Sequence, residues 1–267
     1  MNGSRVAAIV LRMMYLYRGS PQRIFPIFVW VAVDILLWGF LTRYLNSVSR
    51  ADFNFVPALL GAVLLWDFLT RVMQGVTMTV FEDVWSRNFL NFFATPLRTS
   101  EYLAGMVAAA VMTSLVSLAV MVVFARAAFG LSFLTYGVAL APFLMVLFLT
   151  GIALGVAASA IVIRLGPASE WLIWPIPMLI SPFAGVFYPV AVLPGWMQTI
   201  AIILPPAYVF EGMRAVVGGS PPPWDRLALG GGLAVIYLVL ACVFFFAMYG
   251  AVIRTGLIAR YSAETVT

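Results

Sequence analysis

Residues 102–125 read YLAGMVAAAVMTSLVSLAVMVVFA and carry no charged side chain. A helix of roughly 20 apolar residues is long enough to cross the hydrocarbon core of a bilayer, which is about 30 Å thick. This stretch meets that length, and its composition does not suit a water-exposed surface. It predicts a transmembrane helix and indicates a membrane protein.

The rest of the chain has the same character. Of its 267 residues, 64% are hydrophobic and 9% are charged, and the mean hydropathy is +1.06. A soluble domain is about a quarter charged. We therefore predict an all-α integral membrane protein with one transmembrane domain over residues 1–267. Six apolar segments are the predicted transmembrane helices: 24–43, 55–80, 102–125, 135–163, 170–188 and 227–252. In the fourth, Gly151 and Gly155 have the GxxxG spacing that permits close helix packing.

The composition argues against several kinds of chemistry. All 15 basic residues are arginine, and the absence of histidine removes the commonest general base and metal ligand. The single cysteine, Cys242, lies in an apolar run where a packed thiol is expected. We expect no catalytic residue and no metal site. The pI is about 9.7, but the arginines do not cluster on a soluble face, so we expect no nucleic-acid partner.

Residues 3–20 predict an amphipathic helix that lies in the membrane interface, with a frayed cytosolic tail as the alternative. One face of this helix is apolar: Val6, Val10, Met13 and Tyr17. Pro21 and Pro26 are expected to break the path from this helix into the first span.

The arginines predict the orientation of the chain. If the N-terminus lies in the cytosol, nine arginines fall on the inner side and five on the outer side. Loops on the cytoplasmic side carry an excess of basic residues. We therefore expect both termini in the cytosol.

Residues 82–95 lie on the cytosolic side in this orientation, and they predict a short amphipathic helix that ends before Pro96. Glu82 and Asp83 are expected in its first turn, where acids suit the helix dipole. Its other candidate contacts are Trp85, Arg87, Phe89, Phe92 and Phe93. Such a helix could fill a groove on a soluble partner or rest on lipid.

Three charged residues lie inside predicted spans: Asp34 in the first, and Asp67 and Arg71 in the second. Asp67 and Arg71 are four residues apart, which favours an ion pair on one helix face. Ionisable groups at such depth usually face a cavity or a partner. They could line the inner mouth of a pathway, with Arg71 holding one or both acids, or they could clamp the two helices together.

Residues 189–219 are apolar but contain four prolines, so they cannot form one continuous helix. We predict two short helices, 195–204 and 206–217, forming a re-entrant hairpin in the outer leaflet; an external loop is the alternative. Candidate contacts for a transported molecule at this hairpin are Phe187, Tyr188, Trp196, Tyr208 and Phe210. These aromatics could equally be interfacial anchors. Glu211 and Arg214 are expected to form a local ion pair.

Two motifs resemble a known family, the permease subunits of type-2 ATP-binding-cassette exporters. One is EDVWSRNFLNFFATPLRTSEYLAG (82–105), and the other is SPFAGVFYPVAVLPGWMQTIAIILPPAYVFEGMRAVVGG (181–219). The resemblance implies a permease with six spans in a bacterial cytoplasmic membrane. It implies a homodimer joined to two copies of a separate ATPase, which would bind ATP and Mg²⁺. It also implies that 82–95 is the coupling helix that docks on this ATPase.

The function expected from this resemblance is ATP-driven export. The cargo would be amphipathic or lipid-linked: a polysaccharide, a lipo-oligosaccharide or a hydrophobic drug. The chain has no GxxxxGK[ST] motif, so hydrolysis is expected in the partner. One alternative is a secondary transporter or channel driven by an ion gradient, with Asp34, Asp67 and Glu211 as carriers. Another is an intramembrane enzyme, which the lack of an acid–nucleophile cluster disfavours.

Overall fold

The computed structural model describes residues 2–48, 56–86, 95–166 and 169–255. Within these ranges the chain forms helices joined by turns, and no strand occurs. The predicted all-α fold class is therefore confirmed for the described residues. The helices are α1 (Gly3–Gly19), α2 (Pro21–Val48), α3 (Gly61–Trp85), α4 (Thr99–Phe129), α5 (Leu140–Leu165), α6 (Glu170–Ile173), α7 (Pro175–Ile180), α8 (Gly195–Ile203), α9 (Pro205–Val217) and α10 (Trp224–Thr255).

Four helical segments in the described part of the chain are long and apolar enough to cross a membrane. They are Val56–Trp85, Thr99–Phe129, Phe133–Leu165 and Trp224–Thr255. Val56–Trp85 begins with a wider, π-helical turn before α3, and Phe133–Leu165 begins with a tighter, 3₁₀-helical segment before α5. These segments correspond to the predicted second, third, fourth and sixth spans. The bent pair α8–α9 would make a fifth if it were counted as one span.

The predicted first span lies within α2, a helix of 28 residues. At 1.5 Å per residue its length is about 42 Å, which is sufficient for one crossing. The expected break at Pro26 was wrong, because the helix continues through that residue. Pro26 has no N–H to donate to the carbonyl of residue 22, so α2 lacks one backbone hydrogen bond there but does not end. Ser20 alone separates α1 from α2.

The predicted fifth span, 170–188, is not one helix. It divides into α6 and α7, and turns follow from Ser181. Proline explains the interruptions, because a proline cannot donate the backbone hydrogen bond that continues a helix. Pro175 begins α7, and Pro182 follows its end. The segment Trp171–Ile180 has ten residues, about half of what a crossing needs. The described residues therefore do not confirm the predicted layout of six spans.

α5 lies at the centre of the helix bundle and packs against α3 and α10. Gly151 and Gly155 face α3 so closely that an added Cβ would lie 2.8 Å from the carbonyl oxygen of Leu69 and 2.7 Å from that of Met73, respectively. The Thr77 hydroxyl, which donates to the carbonyl of Met73 at 2.9 Å, also lies 3.4 Å from the carbonyl oxygen of Gly155 across this contact. The close packing predicted from the GxxxG spacing is confirmed.

The N-terminal helix, α1, packs along the first half of α4. Ile9 and Met13 are its buried residues, and Ile9 lies against Gly105, where a Cβ would approach it to within 2.7 Å. The predicted helix over 3–20 is thus present, but Met13, which was expected on a face turned to lipid, is buried within the protein. The buried stripe is centred on Ile9 rather than on Val10 because the helix uses this face to contact protein.

Candidate functional site

A polar cavity of about 470 Å³ lies between α1, α2, α3 and α4, and Trp174 closes one side of it. Apolar and aromatic side chains make up much of its wall. The polar residues that line it include Asp34, Asp67, Arg71, Gln74, Ser114 and Ser117. Pockets of this volume are typical of sites for small molecules. The cavity therefore brings together the three charged residues that the sequence singled out.

Asp67 and Arg71 form the expected ion pair on α3. Arg71 Nε donates to Asp67 Oδ2 at 2.6 Å, and the two side chains are only 12% and 16% exposed, respectively. The four-residue spacing places both groups on one side of the helix, facing the cavity. The pair neutralises one positive and one negative charge within the same helix.

Asp34 reaches the cavity from α2. Its side chain is half-buried, and it lies within electrostatic reach of both Asp67 and Arg71. Among the residues that the structure describes, no hydrogen bond or ion pair joins Asp34 to another side chain. Arg71 therefore holds Asp67 and not Asp34, so the charge of Asp34 has no bonded partner among the described residues; a further acid, Glu82, also lines the cavity.

Two serines of α4 complete the polar wall, and the sequence did not single them out. Ser114 and Ser117 are three residues apart, so they share a face of the helix. Ser114 is 1% exposed, and its Oγ has no hydrogen-bond partner within the described residues. The sequence held little signal for them, because scattered hydroxyls in an uncharged span do not reveal which face packs against α3.

A buried ion pair joins α1 to the end of α3. Arg12 Nη2 donates to Asp83 Oδ1, and the carboxylate of Asp83 is completely buried. Tyr102 Oη, on α4, donates to the other oxygen of Asp83 at 2.7 Å. Three helices therefore meet at one carboxylate.

A second pair joins α1 to the start of α4. Arg5 Nη1 donates to Glu101 Oε2 at 3.2 Å and also to the carbonyl oxygen of Pro96. Glu101 in turn accepts from the backbone N–H of Asn2 at 2.8 Å and of Arg98 at 3.1 Å. The Arg98 contact satisfies one of the backbone N–H groups at the start of α4. We call the Arg12–Asp83 and Arg5–Glu101 pairs the α1 anchor.

The α1 anchor changes the interpretation of the predicted helix over 82–95. Glu82 and Asp83 lie in the last turn of α3, not in the first turn of a separate helix, because the helical hydrogen bonding of the second span continues to Trp85. Asp83 is turned inward, whereas Trp85 is 45% exposed and stacks on Phe81 with ring centroids 5.2 Å apart. The other predicted contacts lie outside the described residues: Arg87, Phe89, Phe92 and Phe93.

The two short helices predicted within 189–219 are present as α8 and α9, and their axes bend by 102° at Leu204. The expected ion pair is also present, since Arg214 Nη2 donates to Glu211 Oε1 at 2.7 Å. The same carboxylate oxygen accepts the backbone N–H of Val190 at 2.8 Å. Glu211 therefore ties α9 to the turn that precedes α8.

The predicted aromatic residues of this region divide by exposure. Phe210 is fully buried and packs against Trp66 on α3. Phe187 is 41% exposed and stacks on Trp38 of α2, with ring centroids 5.3 Å apart, and Trp196 is 63% exposed. Tyr188 and Tyr208 donate to the carbonyls of Pro182 and Ile202, respectively. In this conformation Phe210 is a core residue, while Phe187 and Trp196 are accessible.

The comparisons with known proteins place the chain in a family. No curated protein matches its sequence. The family model described as "ABC-2 family transporter protein" matches residues 40–250, which is most of the chain and includes α3 to α9 and both quoted motifs. Members of this family are membrane subunits that work with an ATPase of the ATP-binding-cassette type. The chain therefore belongs to the ABC-2 transporter family and is a membrane permease subunit of an ATP-binding-cassette transporter.

Proposed function

We propose that this permease exports an amphipathic or lipid-linked molecule across a bacterial cytoplasmic membrane. It would work as a homodimer with two copies of a separate ATPase, and both termini would lie in the cytosol. The family match over residues 40–250 carries this proposal. The arginine distribution supports the orientation. Polysaccharide, lipo-oligosaccharide and hydrophobic drug are the cargo classes that fit.

The proposed docking element for the ATPase is the segment 82–95. Trp85 and its neighbour Glu82 are at least partly accessible on the last turn of α3. The α1 anchor contacts the chain at Asp83, near the start of this segment, and at Pro96 and Glu101, after its end. Fixed ends reduce the conformational entropy that a docking segment loses on binding. Within this proposal Asp83 has an internal role, and the ATPase contacts are Glu82, Trp85, Arg87, Phe89, Phe92 and Phe93.

The proposed pathway begins at the polar cavity and ends near the bent pair α8–α9. Asp34, Asp67 and Arg71 would lie at its inner mouth. Phe187 and Trp196 are the accessible aromatics at the proposed outer exit. Motion of the ATPase dimer on ATP binding would be transmitted through 82–95 to α2 and α3.

Copurification tests the function. The tagged permease is expressed with a candidate ATPase, and ATPase recovery is compared between the wild type and the Trp85→Ala/Phe89→Ala variant. We expect the variant to lose most of the bound ATPase while its own yield is unchanged. Trp224→Ala is the matched control, because Trp224 is similarly exposed at the start of α10. Full recovery of the ATPase by the double variant would show that the docking surface lies elsewhere.

A further inference from the structure

The polar cavity between α1, α2, α3 and α4 has the chemistry of a site for an organic cation. We propose that it binds the ammonium group of a cationic amphiphile, with Asp34 as the counter-ion. The inference rests on the proposed function only in identifying the bound molecule as cargo; the binding itself does not require transport.

The charge balance favours a cation over an anion. Arg71 is already held by Asp67 at 2.6 Å, so its positive charge is largely compensated. Asp34 has no such partner in the described part of the chain. An anion that approached Arg71 would also meet the carboxylates of Asp34 and Asp67. A cation beside Asp34 would gain an attraction that is strengthened by the low dielectric of the surroundings.

A second observation points to a hydrogen-bonding ligand. Ser114 lines the cavity, and its Oγ is buried without a partner among the described residues. A buried hydroxyl without a hydrogen bond is unfavourable, so a ligand that supplies one is favoured. A primary ammonium group has three N–H donors and no acceptor. It can donate to a carboxylate and a serine hydroxyl at the same time, and the cavity offers the carboxylate of Asp34 and the hydroxyl of Ser114.

The apolar part of the wall suits the rest of an amphiphile. Trp30 and Trp174 line the cavity with Met13 and Leu16. Trp is the best aromatic partner for a cation, and its ring also covers an alkyl chain. A metal ion fits poorly, because no group of three His, Cys, Asp or Glu occurs among the described residues, and the cavity is far larger than an ion.

Binding of decylammonium to the purified chain tests the proposal. Titration calorimetry in dodecyl maltoside micelles is performed with decylammonium and, for comparison, with decyl phosphate. We expect saturable binding of the amine, weakened about tenfold or more by Asp34→Asn, since the loss of one partly buried charge pair is worth over 1.4 kcal/mol. Asp225→Asn is the matched control, because it removes the same charge on the exposed start of α10. Equal affinity in Asp34→Asn and the wild type, or preference for decyl phosphate, overturns the proposal.

Two further variants keep the test decisive if Asp34→Asn does not fold. Ser114→Ala should weaken the binding of decylammonium but not of decyltrimethylammonium, which has no N–H donor. Trp30→Leu should weaken both, whereas Trp171→Leu, which replaces an exposed tryptophan outside the cavity, should weaken neither. Wild-type affinity for decylammonium in both Ser114→Ala and Trp30→Leu overturns the proposal.

A competition experiment separates the two sources of an ammonium group. If phosphatidylethanolamine displaces decylammonium, the site takes a lipid headgroup; if it does not, the site takes a smaller cationic molecule. Both results support the ammonium site. Failure of the amine to bind while the ATPase still copurifies removes this inference and leaves the permease function intact. Loss of ATPase copurification with amine binding retained removes the proposed function and leaves this inference intact.

Discussion

Arg12 on α1 binds Asp83 in the last turn of α3, a residue 71 positions further along the chain and completely buried. Removing one partner of a buried ion pair leaves the other charge without compensation, which typically costs about 3–5 kcal/mol. We expect Arg12→Gln to lower the thermal stability of the purified chain strongly. The Arg12→Gln/Asp83→Asn double variant should recover part of that loss, because no unpaired charge remains.

The control for this pair is Arg226→Gln, which removes an exposed arginine on α10. Tyr102→Phe should have a smaller effect than Arg12→Gln, because it removes one hydrogen bond to Asp83 and no charge. We expect Tyr102→Phe to lower the free energy of unfolding by about 1–3 kcal/mol. Additive effects of Arg12→Gln and Asp83→Asn on the unfolding temperature would contradict a direct pair.

Arg71 is bonded to Asp67 and lies within electrostatic reach of Asp34, and this predicts an asymmetry between variants. Arg71→Gln leaves Asp67 and Asp34 facing one another without a cation, whereas Asp67→Asn leaves Arg71 available to Asp34. We therefore expect Arg71→Gln to be the more destabilising change, by about 1–3 kcal/mol. Adding Asp34→Asn to Arg71→Gln should restore part of the stability. Thermal unfolding in detergent, followed by tryptophan fluorescence, gives the four values of the cycle, and independent effects would show that Asp34 does not interact with the pair.

Gly155 tests the packing of α5 on α3. A Cβ at this position would meet the backbone of Met73, which cannot move aside as a flexible side chain would. Overpacking of this kind costs about 1–3 kcal/mol. Gly155→Ala should therefore lower the unfolding temperature. Gly232→Ala on α10 is the matched control, since nothing lies within 4 Å of the Cβ that alanine would add. This variant should be neutral or slightly stabilising.

Glu211 holds the Val190 amide and Arg214 with one oxygen atom, which predicts a local effect on hydrogen exchange. Glu211→Ala should speed the exchange of the Val190 amide, while Arg214→Ala should affect it much less, because the Val190 bond does not depend on the arginine. Hydrogen–deuterium exchange with peptide mass spectrometry over the turn before α8 measures both. Equal acceleration in the two variants would indicate that the whole hairpin has loosened.

The sequence predicted well those features that depend on neighbouring residues. Uniform apolar runs indicated four of the transmembrane segments, and four-residue spacing indicated the Asp67–Arg71 pair. The fifth predicted span is not confirmed as one helix, because Pro175 and Pro182 are compatible with an apolar run but interrupt a helix. A hydropathy pattern counts apolar residues and does not count backbone hydrogen bonds.

The contacts that sequence could not provide are those between distant segments. Nothing near Asp83 indicates that its partners are Arg12 and Tyr102, so its neighbours in sequence group it with the exposed residues of a docking helix. Ser114 is an ordinary serine in an apolar run until the helices around it form a cavity. Its role depends on which face of α4 packs against α3, and a span without charge has little periodicity that would reveal this face.

Ser20 is the whole connection between α1 and α2, and its backbone is extended. One residue can change the angle between two helices through its two backbone torsions, but it offers no slack for them to slide apart. A displacement of Asp83 or Glu101 that moves α1 is therefore transmitted to the first turn of α2. Ser20 thus links the segment next to the proposed ATPase contact to the helix that carries Asp34. This connection is short and does not pass through α3.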